Sequence, residues 1–269
     1  MGPELNLAGV YRRRVGASLR RIWENVYDWE HLAHLHEGSF SRCDLLDRGA
    51  WGWRARLRIA NGDEQVIEVR TDQESGRYVS TTLEGTGAGT EIRVVLSAVE
   101  PHITDVVVEF HVPEPRQERL DAIGRAYVAA YARLWDEDEA MMLERERMLG
   151  ARTPALGPAD SVDLGAEADV RARLPVLFEF GGRPFRLVDL EGALVAHSTI
   201  CPHWLGPLGD APVGDGAVRC PWHGYVFDIA TGRCATKPGL ALEGAPSIAV
   251  ERGRVMATTS TASSVTDLD

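Results

Sequence analysis

Cysteine, basic residues and long apolar runs are all scarce in this chain, and each shortage excludes something. Only four cysteines occur among 269 residues. Two stand in paired motifs, and the leftover Cys43 and Cys234 read as unpaired thiols in a reduced cytosol rather than as a disulfide. Lysine and arginine total 29 against 40 acidic residues, a formal net charge of −11. That balance repels a phosphate backbone and an anionic bilayer, so neither nucleic acid nor a membrane is an expected partner. No stretch approaches the ~18 apolar residues of a membrane span. The opening Met1-Gly2-Pro3-Glu4-Leu5-Asn6 lacks the basic and apolar regions of a secretion signal. A soluble, cytoplasmic protein is expected. Hydrophobic residues make up 44% of the chain, enough for the cores of two modest domains.

What is present is concentrated in two short loops, Cys201-Pro202-His203 and Cys220-Pro221-Trp222-His223. Each offers one thiolate and one imidazole. A structural zinc site ordinarily takes Cys from one pair and His from the other, or Cys throughout. A [2Fe–2S] cluster with two Cys on one iron and two His on the other needs one of each from both loops. Zinc is the alternative occupant. With Gly206, Pro207 and Leu208 upstream and Gly224 and Phe227 downstream, the loops resemble those of the Rieske family. The resemblance implies that Cys201 and Cys220 hold the buried iron and that His203 and His223 hold the outer one. Neutral imidazole in place of thiolate raises the reduction potential. Respiratory members add a further Cys to each loop; here those places hold other residues, among them Gly206 and Trp222. The loops therefore resemble the oxygenase and ferredoxin branch. Leu205 stands where that branch often has Gly, with Gly206 one place later, so a slightly different loop shape is expected.

Along the chain, Leu5 to Val15 reads as a strand, and Leu19, Ile22, Trp23 and Val26 lie at helical spacing. Alternating segments follow between Phe40 and Val112, including Trp51 to Ile59, Gln65 to Thr71 and Ile92 to Val99. Gly85-x-Gly-x-Gly89 falls between two of them and opens no helix, so it reads as a hairpin turn and not as a dinucleotide loop. A long helix from about Glu118 to Leu149 carries a stripe of Leu120, Ile123, Tyr127, Tyr131, Leu134 and Met141. A strand, two short helices, a meander of about six strands and one long helix resemble the helix-grip fold of the START-like superfamily. The expected architecture is an α+β helix-grip domain over residues 1–150, a linker over 151–167, an all-β Rieske domain over 168–259 and a disordered tail over 260–269.

Asn25-x-x-Asp28-x-x-His31-x-x-x-x-His36 lies inside the first domain. This spacing resembles the mononuclear iron signature of Rieske non-haem iron oxygenases. Two histidines and one carboxylate on one face of Fe(II) leave open positions for other ligands. By the resemblance His31 and His36 are ligands, and the carboxylate comes from Glu137-Asp138 on the long helix. The helical wheel favours Asp138: at ~100° per residue it falls within roughly 20° of the centre of the apolar stripe, and Asp136, Glu137 and Glu139 point away. An acid on a buried face is costly unless paired or metal-bound. On an unbroken helix His31 shares a face with His34 and not with His36, so His34 stays open as the alternative second ligand. The resemblance favours His36 and requires the helix to end or distort first. It gives Asp28 and Asn25 catalytic roles without direct ligation: Asp28 hydrogen-bonds His31 and reaches the cluster ligand His223, and Asn25 sits beside the iron.

The implied activity is that of a terminal oxygenase component, oxygenating a small, largely apolar or aromatic substrate with O2. No flavin or nicotinamide motif is present, so a separate reductase, with or without a ferredoxin, is the implied electron donor. A homo-oligomer, with a trimer as one form, is also implied. Family members ordinarily carry the Rieske domain first, whereas here it comes last. The alternative class is a non-catalytic Rieske electron carrier or redox sensor fused to a START-like ligand-binding domain.

Overall fold

The computed structural model describes residues 4–151 and 161–259. Two units divide the chain, Met1–Glu146 and Arg147–Asp269.

The first unit opens with strand β1 (Asn6–Val15) and helix α1 (Leu19–Tyr27). Strands β2 (Phe40–Gly49), β3 (Gly52–Ile59), β4 (Glu64–Asp72), β5 (Arg77–Gly85), β6 (Glu91–Glu100) and β7 (Ile103–Val112) precede helix α2 (Gln117–Gly150). The strands form one antiparallel sheet in the order β1-β7-β6-β5-β4-β3-β2. Strict alternation builds its inner face. Along β7, Thr104, Val106, Val108, Phe110 and Val112 are buried and their neighbours are not, as a period of two requires. Trp135 and Met142 of α2 join that core, with Tyr127 stacked on Phe110 at 5.0 Å and Tyr131 edge-on to it at 4.9 Å. A meander closed by one long helix is the helix-grip arrangement that the pattern predicts.

Close approach fixes where α2 meets β1. Gly124 has no side chain, and a Cβ there would lie 1.9 Å from the carbonyl oxygen of Ala8. Arg13 of β1 also pairs with Asp136 and Glu139 of α2, each at 2.5 Å. Helix α1 is tied to α2 by Glu24, which accepts from Arg21 and from Arg145, and by Arg21 with Glu146 at 3.1 Å.

The second unit carries β8 (Ser161–Ala166), α3 (Glu167–Ala172), β9 (Val176–Phe180), β10 (Arg183–Leu190), β11 (Ala193–Ser198), β12 (Val213–Gly214), β13 (Ala217–Arg219), β14 (Val226–Asp228), β15 (Ser247–Glu251) and β16 (Arg254–Thr258). They form three small antiparallel sheets, β11-β10-β9, β12-β13-β14 and β15-β16-β8.

Three expectations change. Only one of the two short helices forms among the described residues: α1 ends at Tyr27, and residues 30–39 are successive turns. The linker expected to reach residue 167 is interrupted by β8, which pairs with β16; Val162 and Leu164 bury against Val255 and Ala257 there, which outweighs the turn-rich composition. The second domain also includes a short helix, α3. The tail at 260–269 lies outside the described residues. No described helix is long and apolar enough to cross a membrane.

Candidate metal centres

In the second unit the two predicted loops are built alike. Leu205 N–H donates to Cys201 O at 3.0 Å and Cys201 N–H to Gly206 O at 2.9 Å; Gly224 N–H donates to Cys220 O at 2.9 Å and Cys220 N–H to Tyr225 O at 2.8 Å. Each loop is thus a tight turn presenting a Cys at its base and a His at its tip. Cys201 and Cys220 are buried at 0% and 1% exposure, and the rings of His203 and His223 lie 4.5 Å apart and perpendicular. The two thiols meet. Their contact pushes Cys201 up, aided by burial, and pulls Cys220 down, aided by His223. Two buried sulfurs beside two imidazoles are the donor set a Cys2His2 cluster requires.

The departure at Leu205 has a conformational answer. Leu205 adopts φ of +67°, the left-handed region that favours glycine, so the turn keeps the glycine-type conformation without the glycine. Gly206 is irreplaceable for a separate reason: a Cβ there would come within 2.9 Å of Cys220 Sγ and 3.1 Å of the Trp222 ring. All four cysteines are free, including Cys43 and Cys234.

In the first unit the chain leaves α1 at Asp28 and turns twice. Leu35 N–H donates to His31 O and Phe40 N–H to His36 O, both at 2.8 Å. Because the helix stops before His31, the helical argument that pairs His31 with His34 does not apply. The turns bring His31 and His36 together with Asp138 of α2; their donor atoms all lie within 4.8 Å of one another, and His34 is not among them. Both histidines are buried, at 3% and 2% exposure.

Each imidazole has a carboxylate oxygen near both of its nitrogens. Nε2 of His31 and of His36 lie 3.5 and 3.1 Å from Asp138 Oδ1. The opposite nitrogens face other carboxylates, His31 Nδ1 at 3.4 Å from Asp28 and His36 Nδ1 at 2.6 Å from Glu137. Burial pushes Asp138 up, but the His36 and His31 imidazoles and a hydrogen bond from Asn25 outweigh it and hold the acid below its ordinary range. Burial likewise pulls His36 down, and Asp138 with Glu137 reverses it to a net rise. Asp138 Oδ1 and His31 Nδ1 are nonetheless buried atoms without a well-aligned hydrogen bond among the described residues. A buried acceptor left so is costly. A divalent cation held by the three donors would remove that cost, and carboxylates behind both histidines are the outer support that metal-binding imidazoles normally have. The donor set fits an N2O metal site.

Glu137 was not expected in this role. Its helical angle points away from the buried stripe, but its side chain reaches back to His36. The signal in the sequence was only its adjacency to Asp138.

A cavity of about 140 Å³ adjoins the triad. Trp53, Leu57, Val69 and Trp135 give it apolar walls, Tyr78, Ser80 and Tyr131 bring hydroxyls, and among the described residues no Lys or Arg lines it. Trp53 and Tyr131 are among the aromatics that line this cavity. Phe110 is core at 0% exposure with Tyr127 stacked on it, and Trp51 packs under Arg70 at 5.3 Å.

Comparison with known proteins bears on the second unit. Residues 160–247 match the Rieske [2Fe-2S] domain. The C-terminal unit is a Rieske domain. Such a domain carries single electrons. Human apoptosis-inducing factor 3 is 30% identical over 145 residues, 52% of this chain and 24% of that protein. The oxygenase component of dicamba O-demethylase from Stenotrophomonas maltophilia is 40% identical over 48 residues, 18% of this chain and 14% of that one. The chain thus spans a quarter or less of the length of these relatives. Among solved structures, a START superfamily protein from Mycobacterium smegmatis is 17% identical, with a TM-score of 0.41 over 52% of this chain and 97% of that one.

Proposed function

We propose that this chain is a terminal oxygenase in which a Rieske cluster feeds electrons to a mononuclear Fe(II) site. Cys201, His203, Cys220 and His223 hold the cluster, and His31, His36 and Asp138 hold the iron. The observation that carries the reading is the convergence of two buried histidines and one partly buried carboxylate, each histidine backed by a second acid. When loaded, the two groups supply one-electron storage at the Rieske loops and O2 activation at open coordination positions. The protein supplies the rest. Glu137 holds His36 by its Nδ1 and Asp28 lies behind Nδ1 of His31, so both Nε2 atoms face Asp138, and Asn25 orients Asp138. The apolar walls exclude bulk water, and the hydroxyls of Tyr78, Ser80 and Tyr131 are available to orient a polar group on the substrate.

A cavity of about 140 Å³ without a cation in its lining suits a neutral, largely apolar molecule of about one ring; an engineered apolar cavity of roughly 150 Å³ accepts benzene. Each O2 consumes two electrons and two protons with its substrate: one oxygen enters the product and one leaves as water, or both enter. The electrons come from a separate reductase, with or without a ferredoxin, and a homo-oligomer is part of the same reading. The non-catalytic alternative, an electron carrier or redox sensor with a START-like ligand-binding domain, is favoured by the greater length of the match to apoptosis-inducing factor 3.

Iron and acid-labile sulfide counts on anaerobically purified protein separate the two. The oxygenase predicts three irons and two sulfides per chain, falling to two irons in Asp138→Ala with the Rieske chromophore intact and substrate oxidation lost. Two irons and two sulfides in the unaltered chain, persisting after Fe(II) addition, would refute it.

A further inference from the structure

An aromatic side chain with a polar end ordinarily finds that end a partner when it is buried. In the first unit Trp53 Nε1 donates to Val26 O at 2.8 Å, and the Tyr27 hydroxyl lies 2.6 Å from Thr71 Oγ1. Tyr78 of β5 and Tyr131 of α2 differ. Both line the cavity that adjoins His31, His36 and Asp138, one from the sheet and one from the helix. Among the described residues neither phenol hydroxyl has a hydrogen-bond partner, and neither oxygen is sealed into the core. Burial pushes both phenols up; Asp138 adds to this at Tyr78, and Tyr78, Tyr127 and Asp138 add to it at Tyr131. Each therefore keeps its proton and remains a neutral O–H donor. Both are near enough to Asp138 to feel its charge, and Tyr131 is near enough to feel Tyr78.

We infer that the Tyr78 and Tyr131 hydroxyls donate to one oxygen of the bound molecule, so that the cavity selects a small ring carrying a carbonyl oxygen. Such an oxygen has two lone pairs and accepts from two donors. The apolar walls of Trp53, Leu57, Val69 and Trp135 suit the ring. With no Lys or Arg among the described lining residues, an anion would enter without a counter-charge, whereas two neutral donors match a neutral acceptor. A plain hydrocarbon in the same place would leave both hydroxyls covered and without a partner, which is costly. The inference names the substrate class of the proposed oxygenase. It rests on that reading for the cavity's role, and it does not need the iron to be bound.

The test uses cyclohexanone and methylenecyclohexane, rings of one shape that differ only in a carbonyl oxygen against a methylene group. Their dissociation constants are measured by equilibrium partitioning with the full chain, after a chelator has removed any mononuclear metal. Tyr78→Phe and Tyr131→Phe are each expected to weaken cyclohexanone about fivefold and to leave methylenecyclohexane unchanged or tighter. Unchanged hydrocarbon binding also shows that the variant cavity is intact. An isotope-edited infrared spectrum reads the contact directly: the carbonyl stretch of bound cyclohexanone should lie below its value in an alkane and move back up in each variant. Failure of cyclohexanone to bind the unaltered chain would overturn the inference. So would equal losses of both probes, or a cyclohexanone affinity or carbonyl stretch that either substitution leaves unchanged. Iron and sulfide counts judge the oxygenase separately, so either reading can fail while the other stands.

Discussion

Glu137 illustrates how much a site depends on a side chain that binds nothing itself. It is half-exposed, at 44%, yet its carboxylate lies 2.6 Å from Nδ1 of an imidazole that is 98% buried. A proton held on Nδ1 by that contact leaves Nε2 bare to face Asp138 and a metal. Removing such outer support typically costs 10–100-fold in metal affinity. Glu137→Gln should therefore weaken Fe(II) binding by about that factor and leave the Rieske chromophore untouched. Fe(II) titration of chelator-stripped protein, followed at the mononuclear site, measures it; equal affinity in the two proteins would remove Glu137 from the site. Sequence alone pointed the other way. A helical wheel assigns each residue a direction from its Cα, and a glutamate is long enough to depart from it.

At the scale of elements, the site depends on how α2 seats against the sheet, because α2 carries Asp138 and the two histidines lie in the turns after α1. The seat is set at Gly124, where α2 meets β1 closely enough that an added methyl would lie 1.9 Å from a backbone oxygen. A backbone atom cannot swing aside as a side chain tip can. Gly124→Ala should cost about 1–3 kcal/mol despite its better helix propensity and should loosen the triad as the helix is displaced. Gly150→Ala, at the far end of the same helix with open space around it, serves as the control and should be neutral or slightly stabilising. Urea midpoints of the two variants decide it; equal midpoints would mean the helix seats elsewhere. The element pattern itself was largely legible. Strands of period two and a long amphipathic helix are local signals, and they gave the meander and α2. The second short helix failed because three of the residues from Asp28 onward, Asp28, His31 and His36, are the candidate site's ionisable groups. Their burial is satisfied by turns that aim them at α2, and a regular helix would spread them around its surface.

For the whole molecule, the proposed division of labour needs an electron to pass from the Rieske loops to the helix-grip cavity, within one chain or between two. Asp28 is the residue assigned to that passage, and its side chain is buried at 7% exposure beside His31. Asp28→Ala should leave three irons and two sulfides bound but slow single-turnover oxidation by the prereduced protein. An unchanged single-turnover rate would end the bridging role while leaving Asp28 as the support for His31. The reversed domain order leaves either proposed site intact, because each candidate ligand set lies within one unit.

The sequence by itself determined the features whose partners are close along the chain. The Cys-x-His and Cys-x-x-His turns each fold over a few residues, so spacing and residue type suffice to read them, and residues 160–247 match the Rieske domain accordingly. Alternation and helical periodicity similarly determined the sheet and the long helix. Only the tertiary structure brought His36 rather than His34 beside Asp138 and found the contact of Glu137 with a histidine 101 residues away. Those outcomes depend on where a helix stops, how closely it seats and which long side chain turns back. Such outcomes come from packing between distant segments, and local spacing does not encode them.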